Sequence, residues 1–170
     1  MTTLQHLNAY TNEQFVEIFG GIFEHSPWVA QEAAFARPFD SLETTFETMR
    51  KIVENASIDQ KVALILKHPE LGSRLAMSEH SVAEQAGAGL NALTSIEFEL
   101  ITILNKQYTE KFKFPFIIAV AGLDKHHIIQ EMQRRLQLDE LTEFNTALNE
   151  IYKIARIRFT AITEELRGSV

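Results

Sequence analysis

Residues 40–66 read DSLETTFETMRKIVENASIDQKVALIL and contain two consecutive helix patterns, each with its own capping motif. Asp40-x-x-Glu43 predicts the start of the first helix and Ser57-x-x-Gln60 the start of the second. The apolar positions of the first pattern fall on one helix face: Leu42, Phe46, Met49 and Val53. This spacing is typical of an amphipathic helix that packs one face against a core, so the stretch indicates an all-α protein.

The same signals recur along the rest of the chain. Thr11-x-x-Gln14 is a capping box, and Ser26-Pro27 predicts a helix with proline at its first position. The helix that follows Ser57 must end near Lys67-His68, because a residue before proline is disfavoured in helical geometry. Four later helices are predicted at about 81–90, 94–109, 124–137 and 140–166. We therefore expect a single domain over residues 1–170, a bundle of about eight or nine helices.

One segment, residues 112–122, departs from the helical pattern. It reads FKFPFIIAVAG, which is apolar and rich in β-branched residues but carries Pro115 near its middle. Proline argues against a central strand, so we predict a buried extended connection between helices. Its backbone polar groups then need partners, and a ligand could supply some of them.

Composition excludes several classes of function. The chain has 170 residues, 45% of them hydrophobic and 23% charged, with a net charge of −7 and no cysteine. An acidic chain lacks the broad basic face that gives nucleic-acid binding most of its affinity. Disulfides and thiolate chemistry are unavailable, and no apolar run approaches the ~18 residues of a membrane span. We expect a soluble, cytoplasmic protein with neither nucleic-acid nor membrane partners.

His68 stands directly before Pro69 at a predicted helix end. A helix C-terminus favours a protonated imidazole, and the proline keeps the preceding backbone extended, so the ring can project from the helix. This arrangement suits a proton donor or shuttle. A surface or capping histidine would look the same, and the local sequence by itself favours that simpler interpretation.

Glu84 follows Ser81 by three residues, a spacing that first indicates a capping box. Helix N-termini also bind anions and polar ligands, and the glycines at positions 87 and 89 let another group approach the backbone closely. Gln85 offers both a donor and an acceptor to an amide-like ligand. The segment predicts either a structural cap or a polar ligand site.

Arg158 alternates with apolar residues on the predicted last helix and is expected to be partly buried. A buried arginine needs an anion, from a ligand or from the protein. The simpler interpretation is a solvated or salt-bridged side chain whose stem covers apolar surface.

No metal centre or common cofactor motif is predicted. His80 and Glu84 stand four residues apart and His126 and His127 are adjacent, but no third ligand can be named and a His-Glu-x-x-His motif is absent from the sequence. The sequence also has no Gly-x-Ser-x-Gly elbow, P-loop or dinucleotide-binding fingerprint.

Four segments taken together resemble the OHCU decarboxylase family, named for 2-oxo-4-hydroxy-4-carboxy-5-ureidoimidazoline. They are Ser26-Pro-Trp28, His68-Pro-Glu-Leu71, Ser81-x-x-Glu-Gln85 with Ala88-Gly-Leu90, and Phe114-Pro-Phe-Ile-Ile-Ala-Val120. They follow the family's order and extend over essentially the whole chain. Each is weak alone, but the set is specific.

The resemblance implies decarboxylation of this unstable intermediate to S-allantoin, the last step of urate breakdown to allantoin. It also implies an all-α, cofactor-free homodimer. His68 and Glu84 match the family's catalytic residues, and the backbone of residues 116–120 would hold the substrate ring. The matching substrate-binding positions are Pro69, Ser81, Gln85, Phe116, Ile117, Ile118, Ala119, Val120 and Arg158.

Two positions depart from the family's pattern. Lys113 precedes the Phe-Pro-Phe segment where relatives often carry a small residue, frequently glycine, and Ala121 stands where they often carry a basic one. Either change could alter the mouth of the pocket. Two other functions stay open: a non-catalytic helical interaction module, for which the capping boxes and apolar stripes suffice, and an enzyme acting on a different ureido-imidazoline.

Overall fold

The computed structural model describes residues 1–72 and 79–169, and for residues 79–82 only the backbone. The described part of the chain forms nine α-helices and contains no strand, which confirms the all-α prediction. The helices are α1 (Thr3–Ala9), α2 (Asn12–Phe19), α3 (Trp28–Ala34), α4 (Leu42–Glu54), α5 (Ile58–Leu66), α6 (Glu79–Gly87), α7 (Ser95–Phe112), α8 (Lys125–Arg135) and α9 (Glu140–Gly168).

The chain divides into two compact units. The first unit comprises Met1–Leu64 and Tyr152–Val170, and the second comprises Ile65–Ile151. Helix α9 therefore contributes its N-terminal part to the second unit and the remainder to the first. A single domain over residues 1–170 stays a prediction.

Side-chain caps set most helix starts in the first unit. Thr11 and Gln14 form the predicted capping box, with their two hydrogen bonds at 2.9 and 3.1 Å. Ser57 and Gln60 form the same reciprocal pair before α5. A third box, between Thr2 and Gln5, opens helix α1, which was not among the predicted helices. These contacts satisfy backbone amides that have no partner inside the helix.

The cap of α4 lies one residue later than predicted. Ser41, not Asp40, precedes the helix, and its hydroxyl accepts a hydrogen bond from the Thr44 amide at 3.0 Å. Both residue types are good N-caps, so the sequence alone offered two registers. The prediction of an Asp40-x-x-Glu43 box was therefore wrong by one position. Similarly, α3 begins at Trp28, one residue after the proline that was expected to be its first position.

The core of the first unit is aromatic. Phe19 packs against Phe15, with ring centroids 4.9 Å apart, and against Phe159 of α9 at 5.5 Å. Phe46 of α4 contacts the same Phe159 ring at 5.6 Å. These rings are at most 3% exposed, and burial of large aromatic side chains is the main stabilisation available to such a unit.

The second unit contains the long helix α7 and the irregular segment that follows it. Thr94 and Glu97 form a capping box at the start of α7, in agreement with the predicted helix start at about residue 94. Residues 113–120 are neither helix nor strand, and all but Lys113 and Ala119 are buried. This confirms a buried connection over residues 113–120, but not the predicted bounds: residue 112 still belongs to the helix, and residues 121–122 form an exposed turn.

Lys113 ends α7 in the left-handed conformation, with φ 65° and ψ 20°. Glycine adopts this conformation without a steric penalty, whereas a residue with a Cβ atom is strained in it. The expected departure from the family's pattern at this position thus has a local consequence: lysine occupies a backbone geometry that suits glycine.

A salt bridge lies at the first turn of α7. Lys125 Nζ lies 2.8 Å from Glu97 Oε1, and this contact, with the hydrogen bond from the Thr94 amide, lowers the pKa of Glu97 from its ordinary 4.5 to about 2. A carboxylate whose folded-state pKa is depressed stabilises the fold above its unfolded pKa, and this stabilisation disappears as the pH falls through the folded value.

We expect Glu97→Gln to unfold at lower urea concentration than the wild type at pH 7. The difference should shrink below about pH 4.5 and be mostly lost near pH 2, because the wild-type carboxylate becomes protonated as the pH falls through its folded-state pKa. Urea titrations across this range measure it. Glu99→Gln, at an exposed position on the same helix, is the control; a Glu97→Gln difference independent of pH would contradict the assignment.

No helix in the described residues is long and apolar enough to cross a membrane.

Candidate active site

The second unit places His68 directly after α5. Its backbone amide donates to the Ile65 carbonyl at 3.1 Å, which closes the last turn of the helix, and Pro69 then directs the chain away. The His68 side chain is not on the surface: the residue is 7% exposed. An ionisable ring in a buried position needs polar partners, so the simple interpretation of a surface histidine was wrong.

Helix α6 carries Glu84 and Gln85. The helix already includes Glu79, so Ser81 lies within its first turn rather than at its cap, and the predicted Ser81-x-x-Glu84 capping box does not mark the helix start. The side chain of Ser81 lies outside the described residues. Glu84 is half-buried and Gln85 is buried. The backbone carbonyl of Gln85 accepts a hydrogen bond from the Leu90 amide at 2.9 Å, and this contact closes the C-terminal end of the helix.

The segment after His68 is fastened to two helices. The Gly72 amide donates to Gln85 Oε1 of α6 at 3.0 Å, and Asn105 of α7 donates its side-chain amide to the Leu71 carbonyl at 2.9 Å. Gly72 has a φ of 66°, which glycine adopts without strain. These contacts bring the chain that carries His68 against the helix that carries Glu84. Gln85 thus has a structural role that the sequence did not indicate.

The irregular segment 116–120 forms another buried part of this unit. Phe116, Ile117, Ile118 and Val120 are each at most 6% exposed, and Ala119 is half-buried. Arg135 of α8 donates from Nη1 to the Ile117 carbonyl at 2.7 Å. The same guanidinium lies over the Phe116 ring, 4.2 Å from its centroid. The backbone here is therefore held by a side chain from a different helix.

Arg135 belongs to a buried network that no sequence pattern predicted. Its Nε and Nη2 atoms donate to the Glu143 carboxylate of α9 at 2.9–3.1 Å, and the Tyr108 hydroxyl of α7 donates to the same carboxylate. All three residues are at most 1% exposed. Burial, followed by the hydrogen bond to Glu143, raises the pKa of Tyr108. No spacing along the chain relates positions 108, 135 and 143, so only the fold brings them together.

Arg158 lies in the first unit and is buried, 3% exposed. Its Nη2 atom is 2.8 Å from Glu24 Oε2, and Nη1 donates to the carbonyls of Gly21 and Ile22 at 3.3 and 3.4 Å. Glu24 is fully buried. The anion that a buried arginine requires is thus supplied, at least in part, by the protein itself.

Two surface depressions of the first unit lie apart from the predicted site residues. Two depressions of about 550 and 500 Å³ lie in the first unit, around Phe35 and Trp28, and none of the predicted site residues lines either one. Among the described residues, no group of three or more histidines and carboxylates could hold a metal ion. His127 pairs at 2.9 Å with Asp124, the N-cap of α8.

The second unit therefore contains groups suited to proton transfer and to binding a polar ring. His68 is a buried imidazole, Glu84 is a partly accessible carboxylate on a helix tied to the His68 segment, and residues 116–120 present a restrained backbone. General acid–base chemistry needs such groups at fixed positions.

Comparison with known proteins gives a consistent result. The family described as OHCU decarboxylase matches residues 8–160. The chain is 43% identical over 156 residues to 2-oxo-4-hydroxy-4-carboxy-5-ureidoimidazoline decarboxylase of Haloferax volcanii, covering 92% of the chain and 93% of that protein. It is also 43% identical to the uric acid degradation bifunctional protein of Bacillus subtilis, covering 97% of the chain but 33% of that longer protein.

A solved structure of (S)-allantoin synthase has the same fold. The TM-score is 0.77 at 28% sequence identity, and the match covers 95% of this chain and 54% of the other.

Proposed function

Because the chain belongs to the OHCU decarboxylase family, we propose that it is a carboxy-lyase that converts 2-oxo-4-hydroxy-4-carboxy-5-ureidoimidazoline to (S)-allantoin. This reaction is the last step of urate degradation to allantoin. The observation that carries the proposal is 43% identity over nearly the full length of both proteins to a relative of that name.

The chemistry of the substrate suits a protein that acts through its own side chains. The carbon that bears the carboxylate is next to a ring C=N bond. When the bond to the carboxylate breaks, its electron pair moves into the ring, the ring nitrogen gains a proton, and carbon dioxide leaves. The hydroxyl then becomes a carbonyl while a proton adds to the ureido-bearing carbon. One proton is consumed overall, and the substrate supplies its own electron sink, so the reaction is proposed to need no cofactor.

The protein must deliver the proton to one face of the ring to set the S configuration. We assign this transfer to His68, because its imidazole is buried at the end of α5 and histidine is the side chain that most often serves as a general acid or base. Glu84 is assigned to orient the ring and to assist as acid or base. The hydrogen bond from Gly72 to Gln85 supports this assignment because it ties the two segments together.

The remaining proposed contacts bind the substrate. Pro69, Ser81 and Gln85 flank the catalytic pair, and the backbone of residues 116–120 is assigned to the ring. Arg158 is assigned by the family resemblance to a carboxylate or carbonyl of the ligand. Its contacts with Glu24 and with two backbone carbonyls also support a structural role.

The proposal extends to a cytoplasmic location and a homodimeric assembly, both implied by the family resemblance. Small-molecule substrate and product are the expected ligands, without nucleic-acid or membrane partners. The net charge of −7 is consistent with the exclusion of nucleic acid.

In the direct test, the purified chain is added to a reaction in which urate oxidase and hydroxyisourate hydrolase convert urate to 2-oxo-4-hydroxy-4-carboxy-5-ureidoimidazoline. Circular dichroism at wavelengths where allantoin absorbs should show faster formation of (S)-allantoin than in the same mixture without the chain. An unchanged rate, with a racemic product, would favour the non-catalytic interaction module. Acceleration only with another ureido-imidazoline in the same assay would move the activity to that substrate.

A further inference from the structure

The buried network of Tyr108, Arg135 and Glu143 stabilises the core only after a large desolvation cost has been offset. Arg135 and Glu143 are 1% and 0% exposed, so both charges have lost their hydration. Apolar residues of similar volume often stabilise a fold as well as a buried ion pair or better. Stability alone therefore does not explain the network, and its geometry points to a second role.

The guanidinium divides its donors between two partners. Nε and Nη2 bind the Glu143 carboxylate, while Nη1 reaches the Ile117 carbonyl at 2.7 Å. Because a guanidinium is planar and rigid, the bidentate contact with the carboxylate also fixes the direction of the third donor. Tyr108 adds a hydrogen bond to Glu143. Helices α7, α8 and α9 together determine where the Ile117 carbonyl points.

Fixing this carbonyl also fixes the amide that follows it. The peptide bond between Ile117 and Ile118 is trans, since the described chain has its only cis bond at Arg37-Pro38. In a planar trans peptide the N–H points opposite to the C=O. The Ile118 amide is consequently directed away from Arg135. The Phe116 ring packs against the same guanidinium, and this contact restrains Phe116, the residue that precedes Ile117.

We propose that Arg135, Glu143 and Tyr108 are positioning residues, which act through the Ile117 carbonyl to hold the Ile118 amide toward the polar atoms of the substrate ring. This inference rests on the proposed function, which assigns residues 116–120 to ring binding. The network orients a backbone donor in advance, so less ordering is needed when the ring binds.

The decisive variant removes the whole network: Tyr108→Phe, Arg135→Met and Glu143→Leu together. This protein should still fold, because no buried charge is left without its partner. The Kd for (S)-allantoin and the KM should both rise about tenfold, the equivalent of one oriented hydrogen bond, while kcat changes less. In ¹⁵N-labelled protein, allantoin should shift the Ile118 amide signal of the wild type much more than that of the variant.

Arg135→Lys provides a second variant. Lysine keeps the positive charge beside Glu143 but lacks the fork that reaches both partners, so the Kd should rise here as well. Ile151→Ala is the matched control for lost stability. Ile151 is 1% exposed and lies on α9, about 12 Å along the helix from Glu143. Its truncation should lower the Tm without changing the Kd.

The outcomes separate the two proposals. A folded triple variant with wild-type Kd and KM, in an enzyme whose wild type is active, would overturn the positioning role and leave the proposed function intact. A wild-type chain that neither binds (S)-allantoin nor accelerates its formation would overturn the proposed function, and the positioning role with it. Weaker binding in the two network variants but not in Ile151→Ala would support both.

Discussion

Replacing His68 with alanine is expected to slow (S)-allantoin formation by about a hundredfold to ten-thousandfold, the usual contribution of a positioned general acid–base group. The product that still forms should lose its stereochemical purity, because solvent would then deliver the proton to either face of the ring. Initial rates and the circular dichroism of the product measure both effects. Glu84→Gln should also lose most of the acceleration, since an amide cannot exchange a proton in the same way.

Lys67→Ala is the control for this prediction. Lys67 is the exposed neighbour of His68, so its truncation should leave the rate unchanged. The His68→Ala protein should still unfold in one cooperative transition, which would exclude misfolding as the cause. Native-rate production of S-allantoin by His68→Ala would show that another group transfers the proton.

Replacing Arg158 with alanine is expected to destabilise the protein by about 3–5 kcal/mol, because it removes the guanidinium from a fully buried carboxylate. Glu24 is 0% exposed, and its Oε2 atom lies 2.8 Å from Arg158. The two hydrogen bonds to the Gly21 and Ile22 carbonyls would be lost at the same time. Urea unfolding at pH 7 measures the loss.

Arg156→Ala is the matched control. Arg156 lies on the same helix and is 2.6 Å from Glu43, but both side chains are exposed, so its removal should change stability far less. Equal losses for the two variants would contradict the argument from burial. If Arg158→Ala folds well enough to assay, a strong gain in apparent substrate affinity would count against the proposed contact with the ligand.

Local chemistry made much of the helical framework predictable. The caps at Thr11, Ser57 and Thr94 involve residues only three positions apart, so each motif carries both partners in the sequence. Ser41 shows the limit of such motifs, because two adjacent residues could each cap the helix. Ser81 shows another, since a motif with the right spacing lies inside a helix.

The site itself was predictable only as candidate residues. The family resemblance pointed to His68, Glu84 and residues 116–120 as candidates. The burial of His68 and the hydrogen bond from Gly72 to Gln85 arise only in the folded chain. Arg135 had no local signal at all. A charged residue at the end of a helix is normally solvent-exposed, and only the burial of Arg135 and its contacts with Glu143 and Ile117 show otherwise.

The sequence by itself determined the helices other than α1, the buried irregular connection and the family, because these depend on neighbouring residues and on motifs in a fixed order. The tertiary structure alone decided which charges are buried together: Arg135 with Glu143, and Arg158 with Glu24 across 134 positions of the chain. A buried ion pair is favourable only when both partners arrive at the same place, and no property of either residue along the chain specifies that meeting.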